Sequence, residues 1–91
     1  MFKFNKEKLE EQANKLAQKS GKLLESGKLK LNISNLERDI TQLKTELGDK
    51  LYTAYRNNAN AEAELMEICQ KIDTLYRQID EIKQQIDNLQ E

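Results

Sequence analysis

The chain has 91 residues, 34% of them charged, with a formal net charge of −1, and it contains no proline, tryptophan or histidine. Its length allows one small domain at most. The near-neutral balance argues against bulk electrostatic binding to nucleic acid. The lone cysteine excludes a disulfide framework, and with no histidine it also excludes a zinc site built from this chain's own Cys and His.

The charge is nevertheless uneven. Residues 1–30 hold eight Lys against four Glu, whereas residues 31–91 hold seven Lys or Arg against twelve Asp or Glu. That asymmetry points to contact between the two parts, or to a basic segment with an outside partner. The N-terminus turns charged at once, without an apolar run of signal-peptide length. Nor does any stretch approach the ~20 apolar residues of a membrane span. These features and the single thiol fit a cytoplasmic setting.

Taken in chain order, residues 5–25 read as an amphipathic helix. Leu9, Ala13, Leu16, Ala17, Leu23 and Leu24 fall on one broad side. Asn5 is its candidate N-cap and Gly27 its candidate C-terminal stop, which makes 1–28 a basic helix and connector, with residues 20–30 open to two readings, a helix break or a continuous helix. Two partners suit this segment. One is a helical hairpin, in this chain or in a second copy. The other is an anionic membrane surface met by Phe2, Lys3, Phe4, Lys6, Lys8, Lys15 and Lys19. The paired Ser-Gly-Lys-Leu segments at 20–23 and 26–29 lack the first glycine, the preceding strand and the Ser/Thr of a phosphate-binding loop. No nucleotide or other cofactor is expected.

The second helix is expected over 29–57, with Leu29, Ile33, Leu36, Ile40, Leu43 and Leu47 in heptad spacing. The apolar pattern then shifts to Leu51, which reads as a stutter near Gly48. Asn57, Asn58 and Asn60 mark a turn, since Asn tolerates left-handed backbone and caps helices. The third helix, over 60–90, carries the most regular pattern. Leu65, Ile68, Ile72, Leu75, Ile79 and Ile82 alternate three- and four-residue steps, and Ile86 and Leu89 continue it.

Folding the chain at the Asn turn pairs residues whose numbers add to ~115 and sets each a residue against a d residue, as an antiparallel coiled coil requires. The expected fold is therefore all-α: an antiparallel two-helix hairpin over 29–91 with an additional N-terminal helix, completed by dimerisation. The e rows share one flank of such a hairpin, and that flank is apolar near the turn. Leu51, Tyr52, Tyr55, Cys69 and Tyr76 are the candidate partner surface. Lys44 is placed near Cys69, and Glu46 opposite Lys71 as an ion pair on the other flank. The many carboxylates of the last helix fall on water-facing positions and give no case for acid–base chemistry.

At the level of motif, the chain resembles a group of short coiled-coil proteins from Gram-positive, Clostridium-like bacteria. The matching stretches are LNISNLERDITQLKTELGDKLYTAY at 31–55 and ELMEICQKIDTLYRQIDEIKQQI at 64–86. The specific part is Glu46-Leu47-Gly48 with Tyr52 and Tyr55, followed by Glu67-Ile68-Cys69. The resemblance implies the hairpin and no assigned activity. Many members of the group continue into a C-terminal zinc ribbon with paired C-x-x-C motifs, which this sequence lacks through Glu91.

The function expected from the sequence is a non-enzymatic scaffold or adaptor that binds itself and another protein, with no metal, cofactor or small-molecule substrate. The alternatives are a peripheral membrane-surface protein anchored by the basic helix, and an inhibitor of the kind carried by phages and mobile elements.

Overall fold

The computed structural model describes residues 6–90, with side chains from residue 9 onward. They form two helices, α1 (Lys6–Asn57, 52 residues) and α2 (Glu62–Gln90, 29 residues). There is no strand among the described residues. The molecule is a rod with extents of 88 × 16 × 10 Å.

The expected separate N-terminal helix is corrected: residues 6–57 are one uninterrupted helix. Gly27 does not stop it, because a glycine stop needs left-handed backbone and no glycine here has a positive φ. A glycine inside a helix costs ~1 kcal/mol relative to Ala. Ending one helix and starting another would instead leave backbone donors and acceptors at two new ends. With Lys and Leu following Gly21 and Gly27 alike, continuation is the cheaper solution. The N-cap expected at Asn5 lies outside the described residues.

The turn is built as the three asparagines suggest. Asn58 takes the left-handed conformation, with φ 50°. The Ala59 N–H donates to the Ala54 carbonyl at 2.9 Å, and the Asn58 N–H to the Tyr55 carbonyl at 3.4 Å. This pair of bonds is a Schellman ending, which satisfies carbonyls that α1 would otherwise leave free. Asn60 then accepts a 2.9 Å bond from the Glu62 N–H through its side-chain oxygen, capping α2. Glu62 and Glu64 add negative charge to the first turn of α2, at the positive end of its dipole.

With so short a turn, α2 runs back antiparallel along α1. The core is a single seam. Ile40, Ile68, Ile72 and Ile79 are buried, with Ile33, Leu36, Leu43, Leu47 and Leu75 packed against them. Even the best-covered of the described residues, Ile40, is 3% exposed, and no described side chain is fully enclosed. Two helices cannot surround a side chain.

The stutter expected at Leu51 does not occur. Half-buried Lys50 and Ala54 continue the heptad register, and Leu51 stays outside it, 56% exposed. Lys50 fits a seam position because its aliphatic stem covers the seam while its ammonium leans outward. That ammonium lies 3.3 Å from the Glu64 carboxylate on α2.

At the far end, Leu89 and Gln90 come alongside Ser26, which is buried there. α2 therefore covers only the part of α1 from about Ser26 to the turn. Residues 6–25 project past it as a single helix about 30 Å long at 1.5 Å per residue. From Leu9 onward every side chain of this overhang is exposed.

Candidate interaction surface

The e rows of the two helices meet on one flank, and near the turn that flank is apolar. Leu51, Ala54 and Tyr55 of α1 line a shallow hollow with Leu65, Met66 and Cys69 of α2. Leu51, Tyr55, Met66 and Cys69 are all exposed, Tyr55 most of all at 76%. Three of the five partner-surface residues expected from sequence, Leu51, Tyr55 and Cys69, thus share one patch.

The other two lie apart from it. Tyr52 is exposed one position round α1, outside the hollow. Tyr76 sits farther along the same flank in a polar setting. Its hydroxyl accepts a 3.0 Å hydrogen bond from the Lys44 ammonium, which also lies 5.5 Å from the ring centroid. Lys44 is therefore directed at Tyr76 rather than at Cys69, because a phenol offers the ammonium both an acceptor and a π face.

Met66 belongs to the patch although heptad position alone does not mark it. It occupies a b position, ordinarily a water-facing one. The available signal was its neighbourhood: a large apolar residue three positions before Cys69 and across the flank from Leu51.

The opposite flank is polar. The expected Glu46–Lys71 pair does not form. Glu46 reaches Lys50 at 3.9 Å and Lys71 reaches Glu67 at 4.0 Å, each within its own helix. Partners at i,i+4 need no inter-helix registration and win at similar strength.

The overhang presents a second exposed surface. Leu16, at 66% exposure, lies with Leu9, Leu23, Leu24 and Leu31 on one sector of α1. Lys15, Lys19 and Lys22 line the surface beside it. Lys15 forms a long intrahelical pair with Glu11, at 3.9 Å. Of the other proposed membrane contacts, Lys6 opens α1 and Lys8 lies in its first turns, whereas Phe2, Lys3 and Phe4 lie outside the described residues.

No described helix is long and apolar enough to cross a membrane. Among the described residues, no group of three or more His, Cys, Asp or Glu side chains is arranged to hold a metal ion. Compared with family models, curated proteins and solved structures, the chain matches none.

Proposed function

We propose that this protein is a non-catalytic interaction module, a rigid helical rod that works by presenting apolar surface to other chains, including a second copy of itself. The observation that carries this reading is the cluster of large apolar side chains left in water beside the turn: Leu51, Tyr55 and Met66 around Cys69. Residues exposed singly are ordinary, but a contiguous apolar patch made by two helices is the mark of a contact surface. A scaffold or adaptor role fits this form, since the rod is long and narrow. Replacing Leu51 and Met66 by Glu tests it. Sedimentation velocity should show the wild-type chain as a dimer and the doubly charged variant as a helical monomer. Identical monomeric behaviour of both would refute self-association through this flank.

A second reading has its own observation. Exposed Leu9, Leu16 and Leu23 beside Lys15, Lys19 and Lys22 on the overhang also suit an anionic membrane surface. Cosedimentation with phosphatidylserine vesicles at low salt should then retain the chain, and release it on Leu16→Glu. Absence of binding refutes this reading.

A further inference from the structure

The overhang's apolar residues do not continue the hairpin seam. Extended past Ser26, the seam positions of α1 are Lys22, Lys19, Lys15 and Gln12. Leu9, Leu16 and Leu23 occupy e positions instead, with Ala13, Ser20 and Gly27 at b. That sector is rotated about 100° from the direction in which α2 lies, counting ~100° per residue. Any extension of α2 along its present path would therefore meet lysines and leave the leucines wet.

The same sector of α1 carries Leu51 and Tyr55 near the turn, beside Met66 and Cys69. Both ends of one face are thus apolar and exposed, and its middle is polar. Antiparallel pairing of this face with a second copy of itself, residue numbers adding to about 64, brings the two ends together. Leu9 then meets Tyr55, Leu16 meets Gly48, and Leu51 meets Ala13. Nearest the two-fold axis, Lys30 meets Ser34 in the polar middle of the face.

Charge agrees with this register in part: Lys22 comes level with Asp73 of the partner's α2, whereas Lys19 and Lys22 also flank the level of Lys44, whose ammonium is held on Tyr76. The glycines agree as well. Gly27 and Gly48 lie on this face, neither has a positive φ, and an added Cβ would meet nothing within 4 Å. Nothing inside the chain requires glycine there, whereas a partner helix approaching closely does.

We infer that the protein forms an antiparallel dimer in which the α1 overhang of each copy lies in the groove between α1 and α2 of the other, covering its Leu51–Tyr55–Met66–Cys69 patch. Each end of the assembly is then a three-helix bundle, and both exposed apolar surfaces disappear in one symmetric contact. This arrangement rests on the self-association proposed above and specifies its geometry.

The test is a spin-label distance between copies. Gln70 faces water on α2, so a Cys69→Ser/Gln70→Cys chain carries one label per copy away from the contact. With 1.5 Å per residue and the two-fold near residue 32, the labels should stand roughly 40–50 Å apart. Leu16→Glu should abolish that distance while circular dichroism remains helical. A distance of roughly 80 Å or more, the value for overhangs paired only with each other, would overturn this arrangement while leaving self-association standing. Absence of any inter-copy distance at high concentration would overturn both.

Discussion

Replacing Gly21 and Gly27 by alanine tests the continuity of α1 by the sign of its effect. Neither glycine has a positive φ, and a Cβ at either position enters open space. In the separated chain, at concentrations too low for copies to pair, each substitution should therefore contribute the full propensity difference of ~1 kcal/mol in favour of helix. Together they should favour the continuous helix by about 2 kcal/mol, roughly a thirty-fold shift in the local helix–coil equilibrium. A projecting single helix of this length is only marginally stable in water, so the change should be visible. The assay is amide hydrogen exchange across residues 15–32, with helicity from circular dichroism. Protection should rise through the whole segment and total helicity should increase. A fall in protection on either side of residue 27 would show that Gly27 needs left-handed backbone, where alanine is strained, and would refute the continuous helix.

Ile79→Ala removes a side chain that is 4% exposed in the seam and should cost about 2–5 kcal/mol in urea unfolding, whereas Gln78→Ala beside it should stay within about 0.5 kcal/mol. Asn60→Ala deletes the cap on the Glu62 N–H and should lower stability by ~1 kcal/mol in the same assay. At Asn58, with φ 50°, glycine should be tolerated and valine should cost about 1–2 kcal/mol. Lys50→Met keeps the stem over the seam and loses the pair with Glu64, so its stability should differ from wild type by under about 1 kcal/mol, a difference that 1 M salt should erase.

The hairpin was legible because α2 states its register at every layer. Six consecutive a and d positions from Leu65 to Ile82 are Leu or Ile, and the left-handed Asn58 fixes where the chain turns. The course of residues 20–30 was not legible in the same way. A glycine serves equally as a helix stop and as a tolerated interior residue, and only the balance between its propensity cost and the cost of two new helix ends decides. Leu51 misled for a related reason. Reading by hydrophobicity prefers Leu to Lys in a seam, yet register is set by the whole helix, and Lys50 satisfies it with its methylenes. In the candidate surface, Leu51 and Cys69 followed from e-row geometry, and Tyr55 from its place beside the turn. Met66 was hidden by its b position, and the ion pairs on the polar flank were decided by neighbours within each helix that a search across the seam overlooks.

Small-angle X-ray scattering tests most directly the claim that this rod works by pairing with itself along its length. A single chain spans 88 Å. Antiparallel pairing requires a particle of twice the chain mass whose longest dimension stays at roughly 90–100 Å, because the two copies overlap almost end to end. A particle of single-chain mass at every concentration would contradict self-association, and a doubled mass stretched beyond roughly 115 Å would contradict the overlap.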